Sequence, residues 1–497
     1  MRILLVYPKC PDNFWSFRHI LGIMAKKSGF PPLGLLTVAA MLPMEWEKRL
    51  IDMNVSSLKD KDLLWADYVF VSAMVVQKAS AEEVISRAKG AGAKVVAGGP
   101  LFTMAHEEFQ EVDHLVLNEA ESTLPPFLRD LANGQAKHVY TSTEWPDVAK
   151  TPLPLWDLLD MRKYAAMSLQ YCRGCPFDCE FCDISVLNGH KPRTKNADQF
   201  VRELDAIYKR GWRGSVFVVD DNFIGNRRKL KAEVLPAVIE WSKARGYPFL
   251  LATEVSVNLA DDDELMGLMS RAGFDTVFVG IETPDEKSLA ECGKFQNSGR
   301  DLVAAVKKIQ NHGFQVQGGF IVGFDSDTPS IFQRQIEFIQ RSGIVTAMVG
   351  LLNAPRGTRL YERLRGENRL LNDPSGSNTD FSINFVPRMD RRVLLTGYRN
   401  VLDTIYSPKM FYERVQTFLR EYKPNRYRRA LFGANDFLTA VRAMMVLGVK
   451  ERGRRRFWRL LLSTLLRHRR SLREALTVSA YGVHFRKVAA LGKNSLA

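Results

Sequence analysis

The feature that most restricts this chain is Cys175-Pro-Phe-Asp-Cys179-Glu-Phe-Cys182, three cysteines spaced by three and then two residues inside YCRGCPFDCEFCDI. Thiolates at this spacing can wrap one corner of a cubane iron–sulfur cluster. A cluster kept only for electron transfer normally takes four cysteines. Three ligands leave one iron open, and an open metal site is where a substrate binds. The alternatives are three buried cysteines or a zinc knuckle. Zinc usually takes four ligands from paired CxxC or Cys/His modules, and no second pair is present. Cys172, three residues upstream, is a spare thiol, read as structural rather than as a fourth ligand.

A chain of 497 residues exceeds one ordinary domain and suggests about three. Its 46% hydrophobic and 25% charged residues are those of a globular protein in water. No apolar run is long enough for a transmembrane helix. MRILLVYPKC lacks the long apolar region and cleavage site of a signal peptide and reads as a buried first strand. Six cysteines, three of them clustered, argue against a secreted disulfide framework and for the reducing cytoplasm.

Ahead of the cysteines, residues 1–140 carry short apolar runs, ILLVYP, LLTVAAMLP, KRLIDMN, YVFVSAMV, KVVAGGPLF and HLVLNEAE, which read as strand or helix pieces. Strands separated by helices predict a parallel, doubly wound sheet with ligands at the carboxyl ends of its strands. Gly98-Gly99-Pro100 after the strand KVVA lets a ligand approach the backbone, although a tight turn explains the pair equally well. The absence of GxGxxG and Walker A loops argues against a dinucleotide or nucleoside triphosphate.

In order, PPLGLLTVAAMLP, RLIDMN, FVSAMVVQ, VVAGGPLF and VLNEAE match the flavodoxin-like, cobalamin-binding half of B12-dependent radical S-adenosylmethionine (SAM) enzymes. The cysteine spacing, with Phe181 before the last cysteine, resembles the radical SAM superfamily itself. The resemblance implies a 4Fe-4S cluster on Cys175, Cys179 and Cys182, with SAM chelated by its open iron. It also implies a cobalamin against Ser72, Gly98, Gly99 and Pro100. The pattern Asp-x-His-x-x-Gly, which supplies a histidine to cobalt in other B12 proteins, is missing, because Asp52 is followed by Met53-Asn54 and no histidine. A cobalamin without a protein histidine is therefore expected, with His106 and His114 as ordinary helix and strand-end residues.

The Pro-rich, non-periodic stretch TPLPLWDLLDMRKY marks a linker over 141–165. Residues 166–385 then repeat a strand–helix unit whose strands are AAMSLQY, SVFVVDDN, FLLATEV, TVFVGIE, FQVQGGFIVGF and TAMVGLLN. Several intervening helices end in glycine, as C-caps do. Six units predict a partial (β/α)6 barrel, with its chemistry at the carboxyl ends of the strands. Asp220-Asp221-Asn222, Glu254, Glu282 and the run Gly319 to Gly323 with Asp325 fall at those ends. Any one of these carboxylates is as easily a helix cap, but acids at four successive ends are harder to dismiss. By the resemblance, Asp220 and Asp221 lie near the SAM amino group, with Glu254 also among the SAM-binding acids. Glu282 then lies near the ribose, Gly319 and Gly323 beside the adenine, and Phe181 offers its backbone to that base. VVDDNF departs from the family's Gly-Gly-Glu ending, which leaves open which acid receives the ammonium. Arg356 is read either as a contact to a SAM or substrate carboxylate or as a surface ion pair.

Residues 386–497 read as helices with no catalytic constellation. The net charge of +15 resides there: residues 391–497 hold 24 basic and 6 acidic residues, leaving the remainder slightly acidic. From Arg454 to Arg473 the chain combines RRR, Phe457, Trp458, an LLL run and RHRR. A basic amphipathic helix of this kind suggests an anionic membrane surface. Plain packing with a solvated basic face, and an RNA-binding surface, are the alternatives. His484 is read as structural.

The expected fold class is α/β: a flavodoxin-like sheet over 1–140, the linker, a radical SAM barrel over 166–385 and a basic helical domain over 386–497. This order is similar to the branch containing hopanoid C-2 methylases. The resemblance implies a methyltransferase acting on an unactivated carbon of a small-molecule or lipid substrate, with a polycyclic lipid suiting the basic tail. SAM cleavage would supply a 5′-deoxyadenosyl radical to remove hydrogen, and methylcobalamin would supply the methyl group. An external flavodoxin- or ferredoxin-like protein would donate electrons. A cyclisation or rearrangement without methyl transfer is the first rival. A tRNA methylthiotransferase needs three further cysteines, where this chain offers Cys10 and Cys172. The open iron argues against a non-catalytic sensor. The expected location is cytoplasmic and peripheral to the membrane.

Overall fold

The structure, a computed structural model, describes residues 1–377, 379–424 and 434–491. Strands β1 (Arg2–Tyr7), β2 (Glu47–Asp52), β3 (Tyr68–Ser72), β4 (Lys94–Gly98), β5 (His114–Val116) and β6 (Val139–Tyr140) form one parallel sheet in the order β2-β1-β3-β4-β5-β6. Its first five strands have the flavodoxin-like order. Helices cover both faces, so Ile3 to Val6 are wholly buried and read as an unbroken apolar run. LLTVAAM is one of those helices, Leu33–Met41.

The second sheet begins with β7 (Ala166–Leu169). A short antiparallel ribbon follows, β8 (Cys172–Arg173) with β9 (Arg193–Thr194). Then come β10 (Ser215–Val218), β11 (Leu250–Val255), β12 (Phe274–Glu282), β13 (Gln315–Val322) and β14 (Ala347–Leu351). The six long strands lie parallel in the order β14-β13-β12-β11-β10-β7, each beside its neighbour in sequence. All six expected units are present. The β8–β9 ribbon was not anticipated, because two residues per strand carry no readable periodicity.

In β10 and β11 the residues facing the outer helices, Val216, Val218, Leu251, Thr253 and Val255, are buried, while Phe217, Ala252 and Glu254 between them stay half-buried. Phe278 of β12 and Met348 of β14 share that half-buried state. A closed eight-stranded barrel fills its interior with side chains. Here alternate residues of the inward face keep partial solvent exposure, so side chains do not fill the half-barrel completely. Trp15 packs edge-on to Phe278 from the loop after β1, with ring centroids 5.2 Å apart.

The segment 141–165 is a packed strap rather than a loose linker: Trp156 and Tyr164 are buried, and the Leu155 N–H donates to the Leu36 carbonyl at 3.0 Å. Strand β14 is an edge, and an uncovered edge invites pairing with other chains. Helix Arg391–Ile405 and the residue after it cover this one. The Tyr398 and Tyr406 hydroxyls donate to the Val349 and Ala347 carbonyls at 3.0 and 2.6 Å. Helices Pro408–Glu421, Ala434–Met445, Arg454–Arg467 and Leu472–Leu491 follow, while residues 425–433 and 492–497 of the expected accessory domain lie outside the described residues. Among the described residues no helix is long and apolar enough to cross a membrane.

Candidate active site at the facing strand ends

Contacts joining the two sheets gather at the carboxyl ends of the first sheet's strands, met by residues after β7 and β14 and by Tyr164, which precedes β7. The Tyr164 hydroxyl donates to Asp52 Oδ2 at the end of β2, at 3.0 Å. Arg356, after β14, pairs with Glu108 at 2.5 Å and with Asp373. Arg356 is therefore an interdomain ion pair, not a ligand of a bound carboxylate. Arg173, in β8, holds Glu119 and binds Glu121 through both of its terminal nitrogens at 3.0 and 2.8 Å, and Arg193 opposite it also binds Glu119. The two sheets thus meet with their ligand-binding edges facing each other.

The cysteine loop hangs between these edges and is braced at three places. The β8–β9 ribbon closes its base, with Cys172 buried in β8 and its thiol directed at the Gly174 carbonyl, which settles that cysteine as structural. Asp220 accepts the Tyr171 N–H at 2.8 Å, and Asp221 accepts the Asn188 amide at 3.0 Å. On the far side Glu180 accepts from Arg363 at 2.7 and 3.1 Å, and Arg363 and Arg369 also hold Asp325. Cys175, Cys179 and Cys182 are free thiols. The Asn222 and Gln296 amides lie 3.9 Å from the sulfurs of Cys175 and Cys179. Burial pushes all three thiols up.

These partners revise the expected ring of acids. Asp220 and Asp221 each give an oxygen to the loop they support, while the second oxygen of Asp220 is buried without a partner. Glu282 is ion-paired to Lys294 at 2.8 Å, and its backbone is left-handed at φ 63°, a strained state for a residue with a Cβ. Gly280 leaves room for that pair: a Cβ there would lie 2.8 Å from Lys294 Nζ. Glu254 alone among the strand-end acids has no hydrogen-bond partner among the described residues while keeping some accessible surface on the inward face. Burial, with the charges of Asp221, Asp220 and Glu282, pushes its carboxyl up to about 8. Such a group is poised to receive a cation.

Of the other expected contacts, Gly319 lies under Phe278, whose ring would be 2.9 Å from a Cβ there. Gly323 turns at φ 108° and donates to Asp327 at 2.8 Å. Phe181 sits 6.2 Å from Phe324 by ring centroid. In the first domain Ser72 and Gly98 are register partners, and Gly99 follows at φ 91°, where a Cβ would come 2.6 Å from Ser72 Oγ. Pro100 starts the next helix. His114 bonds the Lys137 carbonyl at 2.7 Å, and His484 bonds the Phe14 carbonyl at 2.9 Å, so both are structural. Sequence reasoning missed Lys294, Gln296, Arg173 and Arg363. Nothing in their local sequence announces them, since each acquires its role from a distant partner.

Residues 169–339 match the Radical SAM superfamily, residues 24–128 the B12 binding domain, and residues 358–496 a domain of unknown function. An uncharacterized methyltransferase of Synechocystis sp. (strain ATCC 27184 / PCC 6803 / Kazusa) is 42% identical over 494 residues, covering 98% of this chain and 91% of that one. The hopanoid C-2 methylase of Rhodopseudomonas palustris (strain TIE-1) is 33% identical over 479 residues, covering 94% and 90%. The chain belongs to the cobalamin-binding radical SAM enzymes. The fold agrees: the radical SAM methyltransferase TsrM from Kitasatospora setae, solved with cobalamin and a 4Fe-4S cluster bound, superposes with a TM-score of 0.63 at 14% identity, over 96% of this chain and 99% of that one.

This radical SAM enzyme accordingly uses a 4Fe-4S cluster, SAM and cobalamin, and its residues fit them. Among the described residues no three Cys, His, Asp or Glu side chains converge tightly enough to hold a single ion. A cubane takes each cysteine on a different iron, which asks for no single point of convergence. The unpartnered Glu254 suits a cationic ligand. The Ser72–Gly99 corner, which a Cβ would fill, suits a large planar group laid against backbone.

Proposed function

We propose that this radical SAM enzyme is a C-methyltransferase acting on an unactivated carbon of an apolar, polycyclic lipid such as a hopanoid. The observation that carries the substrate reading is the inward face of the half-barrel, on which Trp15, Phe217, Phe278 and Met348 stay half-buried rather than packed away. Such a lining desolvates a rigid hydrocarbon, with Glu254 and Gln317, in register with Phe278, as polar groups on the same face. The methyltransferases that resemble the chain along almost its whole length support the reaction class.

In this reading Cys175, Cys179 and Cys182 hold the cluster, Ser72, Gly98, Gly99 and Pro100 line the cobalamin, and the domains divide at 140, 165 and 385. When bound, the cofactors supply hydrogen abstraction and a methyl donor. Glu254 receives the SAM ammonium, in place of Asp220 and Asp221. Asp220 and Asp221 hold the cysteine loop in register, and the Lys294–Glu282 pair sets the floor beside it. Phe181, Glu282, Gly319 and Gly323 border the nucleoside. The apolar walls keep water from the reacting carbon. An external flavodoxin- or ferredoxin-like protein supplies electrons, and the enzyme meets its lipid at a membrane surface through residues 454–473.

The test is anaerobic reconstitution with iron, sulfide, hydroxocobalamin and methyl-labelled SAM, followed by incubation with a bacterial lipid extract. The expected result is 5′-deoxyadenosine together with label in a polycyclic lipid. Label entering a water-soluble metabolite instead would overturn the lipid assignment. 5′-Deoxyadenosine with no label in any product would replace methyl transfer by a rearrangement.

A further inference from the structure

Helix Arg454–Arg467 has apolar residues on two opposite sides. One side is buried: Phe457, Leu460 and Thr464 pack toward helices Pro408–Glu421 and Leu472–Leu491. The other side consists of Trp458, Leu462, Leu465 and Leu466, which remain 42%, 59%, 46% and 75% exposed. Their spacing, i, i+4, i+7 and i+8, places them in one stripe along the helix. A helix resting on a globular core ordinarily turns a polar face to water, so a second apolar stripe needs a further occupant.

The charges around the stripe say what that occupant is. No acidic residue occurs between Glu451 and Glu474. Arg455, Arg456, Arg459, Arg467, Arg469 and Arg470 are exposed, and among the described residues none of them has an acidic partner. Arg459 falls beside the stripe, Arg455 lies one turn ahead of it on the same face, and Arg469 follows the helix end at His468. Trp458, whose indole N–H donates to the Gly448 carbonyl at 3.1 Å, stands at the stripe's amino end. Leucines in the middle, an anchored tryptophan at one end and unpaired arginines beside them match the anatomy of an interfacial helix on anionic lipid.

The stripe's helix is also connected to the half-barrel. Helix Leu472–Leu491 packs on helix Arg454–Arg467, and its Phe485 stacks on Phe14 with centroids 4.3 Å apart. Phe14 touches Trp15, which packs against Phe278 within the half-barrel. Helix Leu472–Leu491, Phe14 and Trp15 therefore link the buried side of the stripe's helix to the apolar lining.

We propose that Trp458, Leu462, Leu465 and Leu466, with the flanking arginines, are the face by which this enzyme docks on an anionic membrane. The proposal rests on the lipid-substrate reading and specifies how the enzyme reaches that substrate. Nucleic acid fits less well, because the centre of the face is aliphatic rather than a set of stacking rings.

The experiment is vesicle flotation of the reconstituted full-length enzyme, with phosphatidylcholine alone and with phosphatidylcholine containing phosphatidylglycerol. The wild type is expected to float only with the anionic vesicles, and rising salt should weaken the binding. Leu462→Ser/Leu466→Ser and, separately, Arg455→Gln/Arg459→Gln should each weaken partitioning by about tenfold or more. Cleavage of SAM to 5′-deoxyadenosine in solution should be unchanged in both variants. A wild type that stays in solution with anionic vesicles overturns the proposal, as does a Leu462→Ser/Leu466→Ser variant that floats as well as the wild type. A mass in solution that halves in that variant would assign the stripe to a second copy of the chain. Retention of an RNA oligonucleotide without flotation would assign it to nucleic acid. The lipid-methylation reading fails separately, if detergent-dispersed lipid takes up no label while flotation is normal.

Discussion

Lys294 Nζ lies 2.8 Å from Glu282 Oε1, at a strand end whose backbone is left-handed, and its charge also acts on Cys179 and Cys182. Glu282 is buried and Lys294 nearly so, with side-chain exposures of 9% and 12%. Breaking a buried pair by removing one member costs about 3–5 kcal/mol, because the other charge is left unpaired. Lys294→Met should therefore lower the thermal midpoint by several degrees and reduce cluster retention. Lys294→Met/Glu282→Leu should recover most of the stability. A single variant as stable as the wild type would show that the pair does not hold this strand end.

Burial, and then the neighbouring acids, push the Glu254 carboxyl up to about 8. Below that pH its carboxyl is neutral in the ligand-free enzyme, so a cation binding there must displace the proton. SAM binding at pH 7 should release up to about one proton, and should strengthen as pH rises toward 8. Calorimetry in two buffers of different ionisation enthalpy reads the proton directly. Glu254→Gln should abolish the release and weaken SAM binding on the order of 30-fold or more, the scale of a lost buried charge contact. Proton release that persists in Glu254→Gln would move the ammonium site elsewhere.

Gly99 combines φ 91° with a would-be Cβ 2.6 Å from Ser72 Oγ. Gly99→Val should strip corrinoid from the enzyme, seen as loss of the visible cobalamin absorbance after desalting. The iron–sulfur absorbance, belonging to the other domain, should remain. Full corrinoid retention would place the cobalamin away from this corner.

Burial opposes ionisation of Glu121, but the hydrogen bond and charge of Arg173 outweigh it and hold the carboxyl at about 2. A depressed carboxyl stabilises the fold above its unfolded value near 4.5, and that contribution is lost as pH falls toward 2. The interface between the domains should thus loosen in acid across that window. Arg173→Met should produce the same loosening at neutral pH. Limited proteolysis in the strap 141–165 follows it: cleavage unchanged between the wild type and Arg173→Met would mean that Arg173 does not lock the domains.

Much of the architecture was legible because it repeats locally. Six apolar strands alternating with helices carry their periodicity in contiguous residues, and the three cysteines lie within eight. The helical segment LLTVAAM had no such clarity, since an apolar run of seven residues suits a buried helix as well as a buried strand. The β8–β9 ribbon was invisible for its brevity.

By itself the sequence determined the cluster motif, the two parallel sheets and the basic helical end, because each depends on neighbours within a few turns of chain. Only the tertiary structure decided which strand-end acid remains open. Asp220 is taken by Tyr171, 49 residues away, Asp325 by Arg369, 44 away, and Glu282 by Lys294, 12 away. Charges in a closed interior must find partners, those partners are brought by folding rather than by spacing, and Glu254 is the carboxylate to which none is brought.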